Sequence, residues 1–299
     1  MTTEIMHQPT PEFREYLEGE ITSEFRRHRA FARVRLTAVL LATLAAGTTA
    51  GLASAQIRQG AQRDSLLETA LSDMALVVMR LDMTRRHIED VKSRFKVGVV
   101  GSAALADAEL ELRKMEALGL RAKLNVDEIR ASALPARDDL NAPLVGGRDF
   151  VSERLQVDLF LAQQRLNTAE AAQAEAERQW RVGSVGELAV QDAGLKAIRE
   201  RVALGTLAER RKLRKEFIDL GTSGDQLNRR FQQVQVRNDA YVAQETVNVL
   251  RRRLEAVRKQ HAVGTASELD LLRAEYELKE KEYELQLLAR QLRELVKPE

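Results

Sequence analysis

The chain has 299 residues, of which 31% are charged, 4% aromatic and none cysteine, and its formal net charge is +2. That is the composition of long helices and coiled coils, with too few large side chains for a thick globular core. The lack of cysteine excludes disulfides and thiolate metal sites, and the interleaved acids and bases lack the concentrated basic stripe of a nucleic-acid binder.

In chain order, Thr10 can cap a helix and Pro11 can take its first position. Phe13, Leu17, Ile21 and Phe25 then recur at intervals of four, with acids early and arginines late, as the helix dipole prefers. Residues 1–35 therefore read as an amphipathic cytoplasmic segment. Its end is basic, with Arg26, Arg27, Arg29, Arg33 and Arg35 lying just before an uncharged stretch, residues 36–57. That stretch is long enough to span a bilayer. The arginines hold the N-terminus inside and send everything after the span outward. This predicts a single-pass bacterial inner-membrane protein with a periplasmic remainder. Ala53-Ser54-Ala55 also has the form of a signal-peptidase site, so export after cleavage following Ala55 is the open alternative.

The rest of the chain repeats itself. Phe95-Lys96-Val97-Gly98, Trp180-Arg181-Val182-Gly183 and His261-Ala262-Val263-Gly264 each close one long helical pattern and open another. A repeat of about 80 residues is one supersecondary unit. Counting back from Phe95 in alternating steps of four and three gives Val91, Ile88, Thr84, Leu81, Val77, Met74, Ala70 and Leu67. The same steps from Trp180 and His261 also meet mostly apolar residues, the pattern of a coiled-coil seam. After the glycines, Leu105, Ala108, Leu112 and Met115 continue the seam in the first copy, and Leu271, Ala274 and Leu278 in the third. The middle copy starts with Val190, Ala193 and Ala197 but decays through Glu200, Arg211 and Arg214.

The predicted fold is all-α. An N-terminal helix and a single transmembrane helix precede three long antiparallel coiled-coil α-hairpins: hairpin 1 over 58–134, hairpin 2 over 149–220 and hairpin 3 over 225–299. Residues 135–148 form a linker and 221–224 a turn, both rich in breakers. Each tip glycine suits the left-handed conformation that ends a helix. Ser102, Glu187 and Glu268 suit the free amides where the next helix begins. His261, which shares the tip position of Phe95 and Trp180, is expected to pack flat under the turn, with a ligand or pH-sensing role as the open alternative. Leu71 and Val78 beside the first seam, and Leu269, Tyr276 and Tyr283 on the last arm, widen the apolar stripe beyond one seam. Such width implies lateral association.

The tips resemble the TolC-like outer-membrane efflux protein family. The similarity is carried by Val263-Gly264-Thr265-Ala266-Ser267-Glu268-Leu269-Asp270-Leu271-Leu272-Arg273-Ala274-Glu275, and in outline by Val97-Gly98-Val99 through Asp107-Ala108-Glu109. In that family such turns lie at the periplasmic ends of long hairpins and meet adaptor proteins. The family's two hairpins and barrel strands are not matched: three hairpins occur here, and no amphipathic strand. The resemblance therefore implies an accessory or assembly component of an export, efflux or envelope complex rather than a complete channel. Its expected partner-contact residues are Phe95, Val97, Gly98, Val99, Trp180, Val182, Gly183, Ser184, His261, Val263, Gly264 and Thr265.

No catalytic signature accompanies these features. His7, His28, His87 and His261 lack the i, i+4 partner of a helical zinc site, and no phosphate loop, nucleophile elbow or dinucleotide fingerprint appears. The expectation is a non-enzyme without cofactor or metal. It would contact the membrane through residues 36–57, and protein partners or further copies through its hairpins, but not nucleic acid. Two other readings stay open: a transmembrane signalling protein whose cytoplasmic helix binds a regulator such as a sigma factor, and a passive coiled-coil scaffold.

Overall fold

The structure, a computed structural model, describes residues 50–296. Residues 1–35, and the expected membrane segment as far as position 49, lie outside the described residues. Among the described residues, no helix is long and apolar enough to cross a membrane.

The described chain is all-helical, apart from the turns and joints and a single isolated bridge between Val145 and Arg148. Six helices follow one another: α1 Ala50–Lys96, α2 Ser102–Ser132, α3 Phe150–Arg181, α4 Glu187–Leu220, α5 Gly224–Ala262 and α6 Glu268–Val296. α1 runs across position 57 without a break. At 1.5 Å per residue the 34 residues of α4 extend about 50 Å. The second helix of each pair begins at Ser102, Glu187 and Glu268, as the sequence predicts.

The chain divides into two compact units. One takes in α1 up to Arg80 together with Asn125–Ala136. Its buried apolar residues are Leu67, Leu71, Met74, Val126 and Ile129, so α1 and the end of α2 supply its core. Arg63 donates to the Arg130 carbonyl at 2.8 Å. α2 ends on Ala133, which takes a positive φ of 58°, while Ser132 Oγ donates to the Glu128 carbonyl and accepts from the Leu134 amide.

The other unit comprises Leu81–Leu124 and Arg137–Glu299. Within it, α3 packs on α4, α4 on α5 and α5 on α6. Their direction is legible in cross-helix bonds. Arg258 pairs with Glu275 and Arg251 with Glu282, so seven steps back along α5 match seven forward along α6. Between α4 and α5, Asp192 meets Arg253, Arg199 meets Thr246, Thr206 meets Asn238 and Glu216 meets Arg230. As one helix advances the other recedes, so these neighbours are antiparallel. At the first turn, Ile88, Val91 and Ala108 form a small core with Val100, Leu105 and Leu112 against it.

The seam positions read from the sequence supply much of the burial. Leu67, Met74, Leu81, Ile88 and Val91 are buried on α1, Leu155, Ala162, Leu166 and Ala169 on α3, and Ala243, Val247 and Leu254 on α5. The middle copy departs from expectation at Arg214. Where the sequence pattern decays, the structure fills the space from the joint: Leu140, Leu213 and Leu227 form one core cluster, with Phe217 and Phe231 against it. A second cluster is Ala142, Val151 and Leu155, with Leu207 beside it. The seam does not thin out there, because the 137–149 segment folds into it.

Arg214 itself is fully buried and fully engaged. Its Nη2 donates to Asp149 at 2.8 Å, and its Nη1 to the carbonyls of Leu140 at 2.8 Å and Ala142 at 2.5 Å. Asp149 at the same time caps α3, accepting from the Ser152 amide at 3.1 Å and hydroxyl at 2.6 Å. Arg154, also buried, donates to Asp138 at 2.7 Å and to the Arg137 carbonyl. Arg121 joins Asp138 to Asp158. A buried guanidinium is tolerated only when its donors are satisfied; here carboxylates and loop carbonyls do so, and the joint is thereby pinned to α3 and α4.

Candidate functional site

The three turns are built alike, and each is a Schellman closure. In the first, the Gly98 amide donates to the Phe95 carbonyl at 3.0 Å and the Val99 amide to Arg94 at 2.9 Å. In the second, Gly183 donates to Trp180 at 2.9 Å and Ser184 to Gln179 at 2.8 Å. In the third, Gly264 donates to His261 at 3.0 Å and Thr265 to Gln260 at 2.8 Å. The glycine φ values are 75°, 75° and 76°. A side chain is disfavoured there by backbone conformation, not by crowding, since a Cβ at any of the three would meet nothing within 4 Å.

This geometry projects an apolar residue outward at each turn. Val97, Val182 and Val263 are 73%, 76% and 73% exposed, and Val99 is exposed beside the first. Phe95, Trp180 and His261 are all exposed, so His261 is not packed under the turn as expected. The reason is positional: the facing helix has only just begun at that level and offers little to cover a ring. Ser184 and Thr265 are exposed too, and the Thr265 hydroxyl donates back to the Gln260 carbonyl at 3.0 Å.

The second and third turns lie at the same end of their helices. Asp192, nine residues past Gly183, pairs with Arg253, eleven before Gly264. Arg121, twenty-three past Gly98, meets Asp158, twenty-five before Gly183, which brings the first turn level with the second. The three turns thus lie at one end of their helices, with Val97, Val99, Val182 and Val263 exposed there.

The starts of the following helices are not alike. At the third turn Ser267 and Asp270 form a reciprocal capping box: the Asp270 amide donates to Ser267 Oγ at 3.2 Å and the Ser267 amide to the Asp270 carboxylate at 3.0 Å. The Ser267 hydroxyl and amide hold the Asp270 carboxyl below its ordinary value. At the second turn the equivalent position is Gly186, and no side chain caps α4.

A separate cleft of about 510 Å³ opens where α4, α5 and α6 meet, lined by Arg199, Val202, Val242, Lys281 and Glu284 among others. Lys281 donates to Glu284 at 2.6 Å, so the charges there answer one another. Among the described residues no group of three or more His, Asp or Glu side chains is placed to hold a metal ion. The buried polar cluster around Arg214 and Arg154 escaped sequence reasoning altogether. Its one signal was Arg214, which stands where Ile129 and Leu295 fill the other ascending arms; Arg154 gave none, its equivalents being Thr69 and Gln235.

No protein-family model matches the chain, and neither a curated protein nor a solved structure is significantly similar to it.

Proposed function

We propose that this is a non-enzymatic envelope protein anchored by one membrane helix over residues 36–57, with its N-terminus cytoplasmic. Its periplasmic part is a set of three antiparallel coiled-coil hairpins of TolC-like kind. It serves as an accessory or assembly component of an export, efflux or envelope complex, and it meets a protein partner through the hairpin tips. The observation that carries this reading is the threefold presentation of an exposed valine on the same glycine turn. Apolar residues gathered at one exposed end of a molecule mark interaction sites more often than apolar residues scattered singly. The uncharged stretch after the arginine cluster supports the anchor, and the antiparallel bonds on either side of the turns support the hairpins.

The test is site-specific photocrosslinking in living cells, from Val97, Val182 and Val263 and from the exposed lateral position Arg201. Tip positions are expected to capture a component of an export or envelope machine that Arg201 does not, and Val→Asp at all three tips is expected to abolish the capture. A folded protein that captures nothing at the tips overturns the reading. The amphipathic spacing of Phe13, Leu17, Ile21 and Phe25 favours the signalling alternative. Under that alternative, deleting residues 1–30 abolishes output while tip capture persists.

A further inference from the structure

The repeat supplies an internal control for which faces should be covered. Counted from the turn glycines, Leu188, Leu195 and Val202 of α4 correspond to Leu269, Tyr276 and Tyr283 of α6, and to Ala103, Leu110 and Ala117 of α2. On α4 this face lies under α5, and Leu195 is only 8% exposed; on α2, Ala117 is buried as well. On α6 the same face stands open. Tyr276 is 70% exposed and Tyr283 60%, with Leu269 and Leu272 exposed beside them. The third copy therefore carries the landing face for a further descending helix, with Leu272 where the first two copies have Ala106 and Gln191.

The missing descending helix can be identified the same way. On α5, Val242, Glu245 and Val249 lie along the side bonded to α4 and are half-buried; on α3 the equivalent residues, Leu161, Gln164 and Thr168, are half-buried too. The α1 equivalents are Leu76, Met79 and Met83. All three are exposed, Met83 to 69%. They stand at i, i+3 and i+7, one stripe of a helix. Among the described residues, α1 is a descending helix whose outer stripe no ascending helix covers, and α6 an ascending helix whose outer stripe no descending helix covers.

We infer that α6 of one copy receives α1 of a second copy, in the antiparallel register that joins α4 to α5 within the chain. Carrying over the bonds of Asp192 to Arg253, Arg199 to Thr246 and Thr206 to Asn238 sets the register. Tyr276 then lies against Met83 and Tyr283 against Leu76, while Glu280 comes beside Arg80. Methionine on tyrosine is a favourable packing, and the glutamate–arginine position is complementary in charge. Arg273 comes opposite His87, a position that adds nothing by charge. The contact is heterologous: different faces of the two copies meet, so each copy keeps one face of each kind free for another. It is independent of whatever the tips bind.

The chain has no cysteine, which makes the test direct. Full-length Leu76→Cys and Tyr283→Cys variants with different tags are purified in detergent, mixed and oxidised, alongside a Met83→Cys and Tyr276→Cys pair. Both mixtures are expected to give the hetero-tagged disulfide dimer, at least tenfold more than either variant alone. Tyr276→Glu with Tyr283→Glu, at exposed sites, is expected to keep the helical circular dichroism while reducing the light-scattering mass to that of one chain. Three results overturn the inference: a Tyr283→Cys homodimer as the main product, which would mean α6 on α6; no hetero-tagged product from folded protein; or an unmodified chain whose mass is already that of one copy at the concentrations crosslinked.

Discussion

The turns and the joint at the opposite end of the second and third helix pairs solve the same problem, reversing the chain, by opposite chemistry. Each turn closes on two amide–carbonyl bonds and a glycine, joined in the third by the Thr265 hydroxyl, and leaves its valine in water. The joint buries two arginines and satisfies them with Asp149, Asp138 and the carbonyls of Arg137, Leu140 and Ala142. A turn made by backbone frees its side chains to be chosen for contact. A joint made by buried side chains has no such freedom, and its residues are bound to stability.

The largest expected effect lies at the joint. Arg214→Ala strands the Asp149 carboxylate and two loop carbonyls, and breaking a buried pair this way costs about 3–5 kcal/mol. Arg214→Lys should recover little, because one ammonium cannot serve three acceptors in the fork geometry of a guanidinium. Val182→Ser at a turn, in contrast, should stay within about 0.5 kcal/mol of the unmodified chain. Urea unfolding of the three variants measures the contrast; equal losses at both ends would break it.

Acid should act at the same place. Burial pushes the Asp149 carboxyl up, but the hydrogen bonds from Arg214 and Ser152 and the arginine's charge outweigh it and leave the group below its ordinary value. A carboxyl with a lowered folded pKa contributes stability that is complete above its unfolded value, about 3.9, and is lost as pH falls through the folded one. The urea midpoint of the unmodified chain should therefore drop below pH 4 more steeply than that of Asp149→Asn, which starts lower and has no such carboxyl to titrate.

Glycine substitutions at the turns and at Gly224 act by different mechanisms. Gly98→Ala, Gly183→Ala and Gly264→Ala should each cost about 1–2 kcal/mol from the left-handed backbone alone, and equally, since the three φ values agree and no Cβ would clash. Gly224 at the joint has no such conformation. A Cβ there would stand 2.7 Å from the Asn141 Cβ. Gly224→Ala should therefore be rescued by Asn141→Gly in a double-mutant cycle, whereas no second-site change should rescue the turn glycines.

The same contrast explains what could be read from the sequence. Turn glycines, helix starts and the spacing of Leu81, Ile88, Leu166 and Val247 were legible because backbone closure and seam packing leave local, periodic traces. Arg214 was not. A buried arginine looks like a surface arginine in a pattern, and its partners lie 65 to 74 residues away in a loop with no period. His261 shares the register of Phe95 and Trp180 and was expected to be covered, yet all three are exposed, because periodicity says which face a residue takes and not whether the facing helix reaches that level.

The smallest effect is also the finest test of whether the three turns are one device. Gly186 of the second turn is the repeat equivalent of Ser267, and Ala189 of Asp270. Gly186 holds an extended φ of −79° and ψ of 162°, the conformation of a capping residue, and a Cβ there meets nothing within 4 Å. Gly186→Ser should stabilise by a few tenths of a kcal/mol, the usual margin of serine over glycine at this position. Adding Ala189→Asp allows the reciprocal bond back to the residue 186 amide and sets an acid against the positive end of α4. Slower amide exchange confined to the first turn of α4 would show that the cap is transferable because the frames match. A double variant with unchanged exchange would mean that the second turn, for all its identical glycine geometry, presents the next helix differently from the third.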